Sequence, residues 1–217
     1  MREFAREGVA GARTDAIARS AGVNKALLYY YFKDKEALYQ AVLDEVFSGA
    51  RAAIQNALSQ DLSPRARLAA YVCAHFDYIA SNPLLPRIVH AEFLRAGKQP
   101  SRLQRIAKQY FQPTFVNIAA LLKEGEKCGE FRTVDPVHFI PSMISLIVFY
   151  FITAPVLKVV IGRDPLSPES LAERRAAVLD FISAALLPTA HSTAGETPAA
   201  PHNAIPSRQE IASEPAK

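Results

Sequence analysis

The sequence predicts an all-α protein. Apolar residues recur at three- and four-residue spacings along most of the chain, with no strand-like alternation and no internal repeat. Ala, Leu, Arg, Glu and Gln, all good helix formers, dominate the body. Gly, Pro and capping residues cut the 217 residues into pieces of helix length. That length suits a small domain on a larger one, and 50% hydrophobic against 21% charged residues can bury a sizeable core.

The elements follow from these breaks. Arg2 to Glu7 is a short first helix stopped by Gly8, and Thr14 to Ala21 a second stopped by Gly22. Lys25 to Phe32 is a third. Asp34 caps a fourth that reaches Leu58, with Leu38, Val42, Val46, Ile54 and Leu58 near one stripe. Ser63 followed by Pro64 opens a fifth, striped by Leu68, Val72, Phe76 and Ile79 and ended by Asn82-Pro83. Leu84 to Arg95 is the sixth. Ser101 to Lys127 is a long seventh that Pro113 kinks or splits. Asp135-Pro136 opens the eighth, and Ser167-Pro168 a ninth through Leu171, Val178, Leu179, Ile182 and Leu186. Residues 189–217, rich in Ala, Pro, Ser and Thr with no periodic apolar face, are expected to be a disordered tail.

Composition bounds the function. The 25 Lys+Arg against 21 Asp+Glu give +4, which permits contact with nucleic acid without demanding it. Cys73 and Cys128 lack the spacing of a disulfide framework or a zinc site. They are expected to be buried free thiols, as in a reducing cytoplasm. No signal-peptide pattern opens the chain. No GxGxxG, P-loop, GxSxG or HExxH pattern occurs, so the expectation is not an enzyme, with no cofactor and no metal. Phe139 to Leu157 carries no charge and is long enough to span a bilayer, which leaves a membrane-associated helical protein as an alternative.

The stretch Thr14 to Leu38, TDAIARSAGVNKALLYYYFKDKEAL, carries the function. Two helices of about eight residues joined by a glycine turn have the form of a helix-turn-helix. Ile17, Ala18 and Ala21 form one face of the first; Val23, Leu28 and Phe32 complete the buried side. The core is then supplied, and Asn24, Lys25, Ala26, Tyr29 and Tyr30 are left outside. Adjacent exposed tyrosines suit a sugar-phosphate backbone, and the first turn of the second motif helix is the part that enters the major groove. Lys35, at the start of the next helix, suits a phosphate.

Gly8, Ile17-Ala18, Ala21-Gly22-Val23, Leu28-Tyr29-Tyr30-Tyr31-Phe32 and Lys35-Glu36-Ala37-Leu38 together resemble the N-terminal signature of the TetR family, over about residues 4–47. The resemblance implies a homodimer on a palindromic operator, most often a repressor. It implies phosphate contact by Thr14, groove reading by Lys25, Ala26 and Tyr29, and backbone contact by Asn24, Tyr30, Tyr31 and Lys35. It divides the chain into a DNA-binding head at 1–47, whose first helix is shorter than the family's, and a ligand-binding and dimerisation body at 48–188. The apolar eighth helix and the ninth would form the dimer interface. A pocket for a small apolar or aromatic ligand is expected among His75, Phe76, His90, Phe93, Tyr110, Phe115, Phe149 and Tyr150. A regulator without a small-molecule ligand fits the same residues.

Overall fold

The structure, a computed structural model, describes residues 1–95 and 100–188; the expected tail at 189–217 lies outside them. Among the described residues every regular element is a helix. The order is α1 (Arg2–Gly11), α2 (Thr14–Ser20), α3 (Lys25–Tyr31), α4 (Lys35–Leu58), α5 (Pro64–Ser81), α6 (Leu85–Arg95), α7 (Pro100–Ile106), α8 (Gln112–Lys127), α9 (Pro136–Ile161) and α10 (Pro168–Leu186), with one wide π turn at Ala107–Phe111 between α7 and α8.

Local chemistry accounts for the boundaries. Side chains of Asn24, Asp34, Ser63, Asp135 and Ser167 accept from backbone N–H groups in the first turns of α3, α4, α5, α9 and α10. The helical path of α1 breaks at Gly8, whose φ of 63° costs a glycine little. The expected seventh helix is split, ahead of Pro113. Pro113 has no N–H for the Gln109 carbonyl, and the backbone widens just ahead of it: Gln112 N–H bonds to Ala107 O, five residues back.

Two hydrophobic cores result. The larger lies between α4, α5, α8, α9 and α10, around Tyr71, Phe76, Ile118, Ile140, Met143, Ile147 and Leu186. The smaller joins Phe4, Val9 and Ala12 of α1 and its turn to Leu38, Tyr39, Leu43 and Phe47 of α4, and also to Ile88 of α6, Ile106 of α7 and Tyr110. The head therefore shares its core with α6 and α7. α4 runs through residue 47 unbroken, and its Val46 carbonyl accepts from the Tyr78 hydroxyl of α5 at 3.1 Å.

Two expectations are corrected. Cys128 is exposed and Cys73 only half-buried, because Cys128 caps the end of α8 instead of lying within it. Ala21 is exposed as well: α2 ends at Ser20, and Ala18 alone among the α2 residues is buried.

Gly125 is needed at the α8–Phe131 contact. A Cβ there would lie 2.0 Å from the Phe131 ring, which is itself buried in the larger core. Gly125→Ala is therefore expected to destabilise the protein by about 1–3 kcal/mol through overpacking, read as a lower urea midpoint at unchanged slope.

Candidate nucleic-acid interface and the body behind it

α2 and α3 form the exposed corner of the molecule. α3 is a seven-residue helix with no buried residue; Leu28 and Phe32 are half-buried against the smaller core, with Ile17 of α2. Around α3, Tyr29 is 46% exposed, Tyr30 80% and Tyr31 71%. The rings of Tyr30 and Tyr31 meet edge to face at 5.1 Å. Contiguous exposed apolar surface is a mark of interaction sites.

The polar side chains of this corner are tied across the α2–α3 seam. Thr14 Oγ1 and the Tyr29 hydroxyl are 3.2 Å apart, and Lys25 Nζ lies 2.8 Å from Asp15 Oδ1. The Lys25 ammonium holds the Asp15 carboxyl below the usual range, and Asp15 raises Lys25 in turn. Asn24 is half committed: its Oδ1 accepts from Ala26 N–H at 2.9 Å, which leaves its amide NH2. Ala26 is exposed beside it.

Lys35 is placed differently from the expectation. Its ammonium points inward and donates to the Ala10 and Ala12 carbonyls at 2.9 and 3.1 Å. It thus satisfies carbonyls at the end of α1 and fastens that helix to the start of α4, with two of its three donors in use. The pattern of the residues missed Asp15, the partner of Lys25, and Arg13, which stands exposed at the N-cap of α2. Only a ten-residue separation of opposite charges pointed to the first.

Behind the corner, a charged seam ties α4 to α6 and α7. Arg102 reaches Glu36 at the first turn of α4 and lies 3.5 Å from Glu92, which is buried on α6. Its guanidinium sits 5.7 Å over the Tyr39 ring. Burial, then the charge of Glu92, pushes the Tyr39 hydroxyl up. Two turns along α4, Asp44 accepts from Arg105 at 3.1 Å and from the Tyr110 hydroxyl at 2.9 Å. The Phe47 ring stacks on Tyr110 at 5.0 Å.

Among the described residues, the eight expected to line one ligand pocket stand in different surroundings. Phe76 is sealed in the larger core against Phe151, and Tyr110 in the smaller against Phe47. Phe93 is 51% exposed near Phe111 on the other side of α6, and Phe115 packs on the edge of the larger core. His90 is half-buried on α6. Phe149 and Tyr150 line an open groove of about 580 Å³ between α9 and α10, together with Ser145, Thr153 and Arg174. The Tyr150 hydroxyl there donates to Pro165 O at 2.7 Å, and Arg174 stacks over its ring at 5.1 Å. The reason is helical phase: residues adjacent in sequence, such as Phe149, Tyr150 and Phe151, point about 100° apart and serve different surfaces.

α9 is long and apolar enough to cross a membrane by length and composition. Ile140, Met143, Ile147, Phe151 and Ala154 form its buried stripe, at spacings of three and four. Its other faces leave Val137, Phe149, Val156, Val159 and Val160 more than 60% exposed, next to Phe181 of α10 at 61%.

Comparison with known proteins agrees with this architecture. The family model described as bacterial regulatory proteins, tetR family, matches residues 1–42, and that described as tetracyclin repressor-like, C-terminal domain, matches residues 64–182. The HTH-type transcriptional regulator RutR of Escherichia coli (strain K12) is 29% identical over 159 residues, covering 73% of each chain. The HTH-type transcriptional repressor NicS of Pseudomonas putida is 28% identical over 152 residues, covering 69% of this chain and 71% of its own. Among solved structures, the TetR family transcriptional regulator PfmR from Thermus thermophilus shares the fold, with a TM-score of 0.66 at 24% identity over 84% of this chain and 93% of its own.

One titration follows from the body. His75 of α5 faces the fully buried Tyr71 hydroxyl at 3.2 Å, and burial pushes its imidazole down from 6.5 to about 4. The unfolded chain then takes up this proton first as pH falls. The contribution of His75 to stability is complete above pH 6.5 and is lost on the way down to about 4. Urea midpoints are expected to fall across that window, and to fall less in His75→Gln, which keeps a polar partner for Tyr71 without the titration.

Proposed function

The chain belongs to the TetR family of bacterial regulatory proteins, and on that premise we propose that it is a cytoplasmic, ligand-responsive repressor that binds a palindromic operator as a homodimer and leaves it when a small apolar molecule binds. The observation that carries the reading is the outward strip of Tyr29, Tyr30 and Tyr31 on a helix whose first turn offers Lys25 and the Asn24 amide. In this reading α3 enters the major groove. Lys25, Ala26 and Tyr29 face base edges; Thr14, Asn24, Tyr30 and Tyr31 hold the backbone, with Arg13 as an added cation. Residues 1–47 act as the head and 48–188 as the sensing and dimerising body.

The homodimer is supported by the uncovered apolar surface of α9 and α10. Packed against the same surface of a second copy, Phe149, Val156, Val160 and Phe181 leave water together, and about 25 cal/mol per Å² of apolar area favours that. This use of α9 accounts for its apolar faces without a membrane.

Release works through α4. It carries α3 at one end and is tied by Glu36 and Asp44 to α7 and the π turn. A ligand that favours a body with α6 and α7 displaced tilts α4 and changes the spacing of the two heads, which must match one DNA turn of about 34–36 Å or a multiple of it. A regulator that answers to no small molecule is the second reading. The separation of Phe76 and Tyr110 into two closed cores favours it.

Selection of duplexes from a random library by the full-length protein tests the reading. A palindromic consensus is expected, and Lys25→Ala and Tyr29→Ala are each expected to weaken binding to it by about 1–3 kcal/mol with circular dichroism unchanged. A protein that enriches no sequence at low salt would end this assignment.

Phe149→Asp is expected to place an unpaired carboxylate in the dimer face. Analytical ultracentrifugation should then show monomers, with operator affinity lost although the head is untouched. A dimer that survives this change would move the interface elsewhere.

A further inference from the structure

The seam between α2 and α3 holds a carboxylate, Asp15, on the face proposed to meet DNA. Half of its side-chain surface is exposed, and a polyanion repels it. A residue that weakens every encounter with DNA needs a compensating duty.

We propose that Asp15 is a positioning residue for DNA recognition: its ion pair aims the Lys25 ammonium and so sets the sequence selectivity of the head, at the expense of overall affinity. The inference rests on the regulator reading above. Lysine ends in one compact charge on a flexible stem and lacks the rigid fork of arginine. Left to itself, such an ammonium settles against any phosphate within reach. With one donor committed to Asp15 Oδ1 at 2.8 Å, its remaining donors point in a defined direction. The pair is neutral as a whole, so Lys25 in this state adds direction more than attraction.

The neighbouring tie repeats the design. Thr14 precedes Asp15 on α2, Tyr29 follows Lys25 by one helical turn on α3, and Thr14 Oγ1 and the Tyr29 hydroxyl are 3.2 Å apart. Two adjacent side chains of α2 thus clasp two stacked side chains of α3. α3 buries no residue, so packing alone fixes its roll weakly, and these ties define which atoms it shows to the groove. An acid in the first turn of α2 also favours the helix dipole, but that duty needs no partner on α3 and leaves selectivity untouched.

The test uses full-length wild type, Asp15→Asn, Asp15→Glu, Lys25→Met and the Asp15→Asn/Lys25→Met pair. Each is titrated against the wild-type-selected duplex and a random duplex over a salt series. Asp15→Asn is expected to bind the random duplex about three- to tenfold more tightly at low salt, with the selected-to-random ratio down about tenfold. Its salt slope should steepen by about 2 per dimer, as each freed lysine takes a phosphate. Asp15→Glu should restore most of the ratio, and in the Lys25→Met background Asp15→Asn should leave it unchanged. An unaltered ratio in Asp15→Asn, or an equal fall without Lys25, overturns the proposal while the regulator reading stands. If wild type selects no duplex, both fall together. Circular dichroism distinguishes these outcomes from misfolding, and both side chains are exposed enough for the variants to fold.

Discussion

The ionic seam along α4 is the constraint on which the rest of the structure depends. Carboxylates of Glu36 and Asp44 on α4 meet guanidinium groups of Arg102 and Arg105 on α7, with Glu92 of α6 beneath them. Glu92 and Arg102 are largely out of water, which costs several kcal/mol per ion unless well-placed partners offset it, whereas Glu36, Asp44 and Arg105 stay partly exposed. The offset is incomplete: buried Glu92 Oε1, Arg102 Nη1 and Arg105 Nη2 find no hydrogen bond among the described residues. The smaller hydrophobic core lies against this seam and mixes α1 and α4 with α6 and α7. α1 and α4 therefore meet α6 and α7 through a seam whose polar contacts are only partly completed.

The head follows from this dependence. α1 to α3 are short, and α3 contributes only half-buried Leu28 and Phe32 to a core. What packing does not supply, polar ties do. Lys35 caps the end of α1, Asn24 caps α3, and two polar pairs join α2 to α3. Tyr29, Tyr30 and Tyr31 are left in water on this short helix.

α9 resolves a conflict within its own sequence. Pro141 and Pro155 each remove a donor from a helix that is apolar nearly all round. Ser142 and Thr153 hydroxyls bond back to the carbonyls of His138 and Phe149 at 2.8 Å, so polar side chains keep company with the helix backbone next to both prolines. One stripe fills the larger core and the remaining faces stay uncovered within one chain.

Much of this was legible in the amino-acid sequence. Caps placed the starts of α4, α5, α9 and α10, because Asp34, Ser63, Asp135 and Ser167 act on the backbone of their own first turn, whereas α1 runs on past Gly8 and the stretch from Ser101 to Lys127 is divided. The helix-turn-helix was legible because Ala18, Gly22, Leu28 and Phe32 satisfy short-range geometry and leave the tyrosines surplus. Where the chain must meet itself at long range, local pattern fell silent. The sequence did not show that Lys35 turns inward to α1, that Asp15 holds Lys25, or that Phe76 and Tyr110 enter different cores while Phe149 and Tyr150 line an outer groove. Pro113 announced a disturbance but not its form, a widened turn beside the Tyr110 contact. Periodicity and capping chemistry are properties of neighbours in the chain, and sequence determines them. The partner of a charge or the cavity a ring fills depends on which helices are brought together, and only the tertiary structure decided that.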